Sequence, residues 1–175
     1  MSLGYCGGVV KAWLAGGVVL LLVLGVLAWG LSHPALLESA SATGRMAPDL
    51  TIQPFDGPPV ALSELRGTPV VLNFYASWCP GCRAEAGALA AAASAHPAVR
   101  FLGADIQDTA EAARAFEVEM RHGYPVGPAT SGTYLRFGVT GPPETFFIDR
   151  SGRISGHFAG PLDGPTIELY LARLK

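Results

Sequence analysis

The stretch that most restricts how this chain can fold is residues 69–77, PVVLNFYAS. It is an almost continuous apolar run with β-branched and aromatic residues, which is typical of a strand buried on both faces of a sheet. The Ala-rich segment over residues 83–96 favours a helix that ends before Pro97. A buried strand that leads directly into a helix predicts a layered α/β domain.

The alternation of strand and helix patterns continues from Ala47 to the C-terminus. Two further helices are expected, one that begins at Asp108 or Thr109 and one that begins near Asp163, because these side chains are good helix caps. The remaining predicted elements are strands over residues 99–106, 144–149 and 152–159, a hairpin over 49–62, a helical turn with Ser63 at its start, an extended segment over 124–129 and a brief helix within 130–139. This order predicts a sheet with helices on both faces.

Residues 12–31, AWLAGGVVLLLVLGVLAWGL, contain no charged residue. A helix needs about 20 apolar residues to cross the hydrocarbon layer of a bilayer. Trp13 and Trp29 lie near the two ends of the run, where membrane helices favour aromatic residues. Lys11 precedes the run and the next Lys or Arg is Arg45, so we expect a cytoplasmic N-terminus. The run therefore predicts a single-pass anchor in the cytoplasmic membrane, with the folded domain on the periplasmic side.

A cleaved signal peptide is the alternative to an uncleaved anchor. The residues ASA at 40–42 would suit a cleavage site, but the apolar run is longer than the roughly 7–15 residues of a signal core. We therefore expect a cytoplasmic segment over residues 1–11, a transmembrane anchor over 12–31, a small polar tether over 32–46 and a folded domain over 47–175.

Composition excludes two broad classes of protein. The chain has 12 Lys and Arg against 14 Asp and Glu, and no basic stripe, so no nucleic-acid partner is expected. Half of its residues are apolar, 50%, which is too many for a disordered chain.

Cys79 and Cys82 lie two residues apart, where the buried strand gives way to the helix. The free N–H groups of a helix N-terminus stabilise a thiolate, which is the reactive form of cysteine. A second thiol one helical turn later can reach back to the first. Because an extracytoplasmic compartment oxidises thiols, the pair is a candidate for a redox-active disulfide.

Two other uses of the cysteine pair fit the sequence poorly, and a third stays open. A zinc site needs at least two more ligands, yet Cys6 lies before the anchor, and His96, His122 and His157 show no ligand spacing. A purely structural disulfide would close too short a loop to constrain the unfolded chain much. A copper carrier with His157 as a third ligand stays open. No metal or cofactor is predicted.

Two segments of the chain resemble a known family. VVLNFYASWCPGCRAE, residues 70–85, resembles the active-site segment of thioredoxin-fold proteins. FGVTGPPETFFIDRSGRI, residues 137–154, resembles the second fingerprint of their membrane-anchored branch in cytochrome c maturation, the TlpA, ResA and CcmG (DsbE) group. The resemblance runs from about Met46 to the C-terminus. It implies a thioredoxin-like α/β fold, with a central mixed sheet flanked by helices and an αβ insertion at about residues 109–130.

The resemblance also implies roles for individual residues. Cys79 matches the exposed nucleophile and Cys82 the resolving thiol, so that the two form the redox-active disulfide. Trp78 matches the aromatic residue beside the site, and the dipeptide of Pro80 and Gly81 tunes its reduction potential.

Pro143 matches the cis-proline that faces the disulfide, a conformation that is essentially restricted to proline. Glu144 matches an acidic residue next to it. Thioredoxin carries a buried acid where this chain has Asn73, which cannot take up a proton. We therefore expect Glu144 to replace that acid, although it could instead be a solvated charge at a strand end. Glu85 is interpreted only as an ordinary acid in the first turns of a helix.

A second departure from the family is Pro142, the residue before the predicted cis-proline. In this fold that residue pairs its backbone with the partner, a form of strand addition. Proline has no N–H to donate. The partner is therefore expected to be held with one hydrogen bond fewer.

The function implied by the resemblance is a disulfide reductase that acts on the haem-binding CxxCH cysteines of apocytochrome c. The resemblance also implies a membrane electron donor of the DsbD or CcdA type, which reduces the cysteine pair again. The alternatives within enzymes are a general reductase of envelope disulfides and a thiol oxidase. The alternative outside enzymes is a non-catalytic metal carrier or holdase with a thioredoxin fold.

Overall fold

The computed structural model describes residues 13–14, 16–26, 42–130 and 132–174. The chain divides into two compact units, Met1–Leu37 and Glu38–Lys175. In the first unit the described residues are helical. Among the described residues no helix is both long enough and apolar enough to cross a membrane.

Parts of the three predicted N-terminal segments lie outside the described residues. These parts are the whole cytoplasmic segment 1–11, residues 12, 15 and 27–31 of the predicted anchor, and residues 32–41 of the predicted tether.

The second unit is a mixed five-stranded sheet with flanking helices and a small hairpin. Its strands are β1 (Thr51–Ile52), β2 (Val60–Ala61), β3 (Val70–Tyr75), β4 (Arg100–Asp105), β5 (Val126–Pro128), β6 (Glu144–Ile148) and β7 (Ile154–Ala159). Its helices are a 3-10 turn (Leu62–Leu65), α1 (Pro80–Ala95), α2 (Ala110–Met120), α3 (Thr133–Phe137) and α4 (Gly164–Leu171).

The sheet has the strand order β5-β4-β3-β6-β7, with β1 and β2 paired separately as the hairpin. β3 runs parallel to β4 and antiparallel to β6. All six residues of β3 are buried, as its apolar sequence predicts for a central strand. Phe74 pairs with Glu144 in the register of β3 and β6. This register brings the end of β3, which leads to the cysteines, beside the start of β6.

The side chains of β3 alternate between two cores, because successive residues of a strand point to opposite faces. Leu72 and Phe74 pack in one core with Phe137 of α3. Val71 packs in the other with Leu89 of α1 and Ile167 of α4, among others. Helices therefore cover both faces of the sheet, and the thioredoxin-like α/β fold expected from the sequence is confirmed.

The helix starts follow the predicted capping residues in two cases. Thr109 Oγ1 accepts a hydrogen bond from Ala112 N at 3.2 Å, and Asp163 Oδ1 accepts one from Thr166 N at 2.9 Å. The predicted helical turn at LSEL is confirmed as the 3-10 turn over Leu62–Leu65, but the prediction that Ser63 starts it was wrong, because its N-cap is Ala61. Ser63 lies inside that turn, where its backbone N–H and its hydroxyl both donate to the carboxylate of Asp49.

Candidate active site

A disulfide joins Cys79 and Cys82 at the start of α1, with their Cα atoms 5.3 Å apart. Cys79 is the N-cap of this helix, and its Sγ accepts a hydrogen bond from Cys82 N at 3.0 Å. Pro80 suits the first helical position, where no backbone N–H is needed for the helix. A negative charge on Cys79 Sγ would therefore face the positive end of the helix and one directed N–H donor.

The family resemblance implied an exposed Cys79, but in the structure exposure does not distinguish the two cysteines. Cys79 is 3% exposed and Cys82 is 2% exposed, so the predicted nucleophile is nearly as buried as its partner in the disulfide form. Both pack in a small core that includes Tyr75, Phe116 and Val126. The difference between them is position on α1, because only Cys79 is the cap.

The peptide bond between Pro142 and Pro143 is cis, as the resemblance implied for Pro143. Pro143 is buried and lies against the turn between the two cysteines. A Cβ atom placed on Gly81 would lie 3.1 Å from Pro143 Cδ and 3.7 Å from Pro161 Cβ. Glycine at this position thus allows the cysteine turn to approach the cis-proline closely.

The loop before Cys79 is fastened to the connection between β4 and α2. Ser77 N donates to Asp108 Oδ2 at 2.6 Å, and Trp78 Nε1 donates to the carbonyl oxygen of Gln107 at 3.0 Å. The Trp78 ring nevertheless remains 56% exposed beside the disulfide. The aromatic surface is therefore held in place but stays open to a partner.

Glu85 is a functional candidate that reasoning from the sequence undervalued. It is 1% exposed, and its Oε1 accepts from Asn73 Nδ2 at 2.7 Å while its Oε2 accepts from Leu162 N at 2.9 Å. Asn73 also donates to Thr145 Oγ1 at 3.0 Å. Burial raises the pKa of Glu85 to about 7, although the hydrogen bonds from Leu162 and Asn73 lower it. A carboxyl group with this pKa can take up or release a proton near neutral pH.

The sequence did contain a signal for this role. Cys82, Glu85, Ala86 and Leu89 follow the spacing of one helix face, and all four are buried. Glu85 therefore occupies a position in the inward stripe of α1, where an acid is unusual.

Glu144 is also buried, at 2% exposure, so it is not a solvated charge at a strand end. Its Oε1 accepts from Thr140 N at 2.7 Å, Thr140 Oγ1 at 3.0 Å and Gly141 N at 3.2 Å. Its Oε2 lies 2.7 Å from His157 Nε2. Burial alone would raise the pKa of Glu144, but the hydrogen bonds from His157, Thr140 and Gly141 bring it below the ordinary value. Glu144 is therefore ionised at neutral pH.

No cluster of three or more His, Cys, Asp or Glu side chains that could hold a metal ion occurs in the described part of the chain. His157, the third ligand considered for a copper carrier, is hydrogen-bonded to Glu144.

Comparison with known proteins shows which family the chain is similar to. The AhpC/TSA family matches residues 43–157. A thiol:disulfide interchange protein DsbE homolog of Paracoccus denitrificans is 39% identical over 146 residues, which cover 79% of this chain and 78% of the relative. The thiol:disulfide interchange protein HelX of Rhodobacter capsulatus is 34% identical over 155 residues, covering 82% of each chain.

A solved structure supports the same grouping. The crystal structure of a DsbE-type thiol:disulfide interchange protein from Chlorobium tepidum superposes with a TM-score of 0.69 at 26% sequence identity, covering 76% of this chain and 98% of that one. The chain therefore belongs to the thioredoxin-like AhpC/TSA family and is a thiol:disulfide oxidoreductase related to DsbE and HelX.

Proposed function

We propose that this oxidoreductase works as a disulfide reductase on the extracytoplasmic side of the cytoplasmic membrane. Its proposed substrate is the disulfide formed by the haem-binding CxxCH cysteines of apocytochrome c. The observation that carries the proposal is the Cys79–Cys82 disulfide at the start of α1, placed against cis-Pro143. The likeness to DsbE and HelX supports it.

The proposed reaction transfers two electrons to the substrate. In the reduced protein the Cys79 thiolate attacks one sulfur of the substrate disulfide, and the other substrate sulfur leaves as a thiolate. A mixed disulfide now joins Cys79 to the substrate. Cys82, as a thiolate, then attacks Cys79 Sγ and releases the substrate with both its cysteines reduced. The protein ends with the Cys79–Cys82 disulfide seen in the structure.

Cys82 must lose a proton before it can resolve the mixed disulfide, and Glu85 is the proposed acceptor. Both residues lie on the buried side of α1, and the raised pKa of Glu85, about 7, suits proton exchange at neutral pH. Asn73 orients the Glu85 carboxyl group by its hydrogen bond. The lowered pKa of Glu144 suits a fixed negative charge rather than a proton acceptor. In this proposal Glu85, rather than Glu144, takes the place of the thioredoxin acid.

A reductase in an oxidising compartment needs a supply of electrons. We propose that a membrane donor of the DsbD or CcdA type reduces the Cys79–Cys82 disulfide again. The uncharged run over residues 12–31 would keep the domain near that donor as a membrane anchor.

The first test is the reduction potential of the full chain, equilibrated in thiol buffers and followed by the change in tryptophan fluorescence, since Trp78 adjoins the cysteine pair whereas Trp13 and Trp29 lie in the N-terminal run. A potential near or below about −230 mV, in the range of glutaredoxin and thioredoxin, supports electron donation. A potential near about −120 mV, like that of a strong oxidant, would overturn the reductase proposal in favour of a thiol oxidase.

The second test asks which disulfides the protein attacks. Cys82→Ser should trap a mixed disulfide with an oxidised CxxCH peptide, whereas Cys79→Ser should trap none. A matched peptide in which Ala replaces the His of CxxCH separates the proposed substrate from disulfides in general. Equal trapping of both peptides would favour the general envelope reductase. Binding of unfolded protein that persists in Cys79→Ser, without any exchange in the wild type, would favour the holdase.

A further inference from the structure

His157 is a buried histidine that the proposed electron transfer does not use. It lies on β7 opposite Phe146 of β6, and its ring stacks on the Phe146 ring with the centroids 4.1 Å apart. It is 4% exposed. Its Nε2 is hydrogen-bonded to Glu144, whereas its buried Nδ1 has no hydrogen-bond partner among the described residues.

The unpartnered Nδ1 indicates which ring nitrogen of His157 carries the proton. A buried N–H without an acceptor is costly, whereas a bare ring nitrogen that lacks a donor costs less. The neutral tautomer with the proton on Nε2 leaves Nδ1 bare and donates to Glu144 Oε2 at 2.7 Å. His157 thus acts as a directed donor to one oxygen of Glu144.

The other oxygen of Glu144 is directed at the chain that leads to the cis-proline. Oε1 accepts from the backbone N–H groups of Thr140 and Gly141 and from the Thr140 hydroxyl. Pro143 follows two residues later and lies against Gly81 of the cysteine turn. One carboxylate therefore joins His157 to the segment that carries cis-Pro143.

Glu144 and Glu85 lie on opposite faces of the sheet. Thr145, which contacts the Asn73–Glu85 pair, faces α1, and its neighbour Glu144 points the other way, as does Phe146. Glu144 therefore does not share the buried side of α1 with Cys82. This placement separates a proton-exchange role from a role in holding the loop.

We propose that His157 is a positioning residue, which orients Glu144 so that residues 140–141 hold cis-Pro143 against the cysteine turn. The proposal rests on the proposed reductase function where activity is measured. Its structural part, the hold on residues 140–141, is tested independently of any activity.

The first readout is amide hydrogen exchange measured by NMR on the full chain. In His157→Leu, exchange of the Thr140 and Gly141 amides should be at least about tenfold faster, because their acceptor is no longer fixed. The Leu162 amide, which donates to Glu85, is the internal control and should keep its rate. His157→Gln, whose side-chain amide can still donate to Glu144, should restore protection at Thr140 and Gly141.

The second readout compares two reactions of Cys79. For a peptide disulfide, kcat/KM should fall about tenfold in His157→Leu and recover in His157→Gln, because a displaced loop misplaces a bound partner. The rate at which iodoacetamide alkylates the reduced protein should keep its pH profile, since so small a reagent does not need the loop. His96→Leu is the matched surface control, because His96 pairs with Glu168 at an exposed site, and it should change neither reaction.

Three results would overturn the proposal. Unchanged exchange of the Thr140 and Gly141 amides in His157→Leu would show that His157 does not help to hold residues 140–141. A shifted pH profile of alkylation would mean that the His157–Glu144 pair acts on the Cys79 thiol by its charge. No recovery in His157→Gln would mean that the imidazole matters for its shape. If His157→Leu does not fold, His157→Asn, whose shorter amide falls short of Glu144, provides the same comparison.

Failure of the proposed function gives a different pattern. If the wild type itself exchanges no disulfides, the reductase proposal is wrong, while the amide rates of Thr140 and Gly141 still decide whether His157 holds the loop.

Discussion

At the scale of single residues, the two buried glutamates differ in their hydrogen bonding and in the direction of their pKa shifts. Glu85 has two hydrogen-bond donors and a pKa raised by burial to about 7, whereas Glu144 has four and a pKa below the ordinary value. The number of donors around each carboxylate decides between proton exchange and a fixed charge. The different roles proposed for these two residues of the same type rest on this difference.

The raised pKa of Glu85 has a consequence for stability. An unfolded glutamate titrates near 4.5 and the folded Glu85 near 7, so the folded state binds more protons between these values. The free energy of unfolding should therefore fall as pH rises from about 4.5 to about 7 and then level off. Glu85→Gln should remove this loss and be more stable than the wild type above pH 7, by up to about 3 kcal/mol.

Urea unfolding of the oxidised proteins at pH 5 and pH 8 tests this prediction. Asp105, whose pKa burial and Asp108 also raise to about 7, contributes a loss in the same direction. The difference between wild type and Glu85→Gln is therefore the informative quantity. An equal loss of stability in both proteins would contradict the raised pKa of Glu85.

Pro142 is predicted to affect binding of the partner. It lies next to cis-Pro143 and has no backbone N–H, so a strand laid beside it lacks one hydrogen bond. In a Cys82→Ser background, Pro142→Ala should increase the yield and lifetime of the mixed disulfide by about fivefold, which is about 1 kcal/mol for one hydrogen bond. Pro58→Ala, at an exposed position in the hairpin, is the control. If trapping and exchange are the same in both variants, the missing N–H has no role.

At the scale of elements, the first turn of α1 meets the segment before β6. The turn is restricted because a side chain on Gly81 would press on Pro143. Gly87, in the same helix, has nothing within 4 Å of the corresponding position. The two glycines therefore provide a matched pair for testing the contact between the elements.

Gly87→Ala should raise the free energy of unfolding by about 1 kcal/mol, the usual difference between Ala and Gly inside a helix. Gly81→Ala should gain nothing or lose stability, because its Cβ would lie 3.1 Å from Pro143 Cδ. Chemical denaturation of both variants measures the difference. Equal stabilisation of both variants would mean that Pro143 can move away from the new Cβ atom without a loss of stability.

At the scale of the whole molecule, the chain combines a thioredoxin-like domain with an uncharged N-terminal run. Relatives named as thiol:disulfide interchange proteins align over most of their length with this chain. The proposed anchor over residues 12–31 would restrict the domain to disulfides near the membrane surface. Client choice would then depend on location as well as on the site.

Fractionation of cells tests the anchor. The full-length chain should stay in the membrane pellet after carbonate washing and be released by detergent, because the run over residues 12–31 matches the bilayer. Protease added to spheroplasts should digest the domain. Leu20→Arg with Leu22→Arg should weaken retention, as a charge at the helix centre disfavours insertion. A shorter soluble form in the periplasm would instead indicate a cleaved signal peptide.

The sequence alone was sufficient for most of the elements and for the cysteine pair, and the family resemblance implied the cis-proline. Strands and helices follow from local patterns, such as the apolar run of β3 and the caps Thr109 and Asp163. CxxC after a buried strand is local as well, whereas the cis-proline was implied by the family resemblance of the segment around PPETF at the start of β6. Local patterns can be read one segment at a time, since each depends only on neighbours in the chain.

Only the tertiary structure showed the different surroundings of the two acids, from which their proposed roles follow. Glu85 meets Leu162, 77 residues away, and Glu144 meets His157 on the neighbouring strand. These contacts depend on the strand register and on how α1 packs against the sheet. The pKa of a carboxyl group depends on burial and on its donors together, so the sequence alone gives the pKa shift of neither Glu85 nor Glu144.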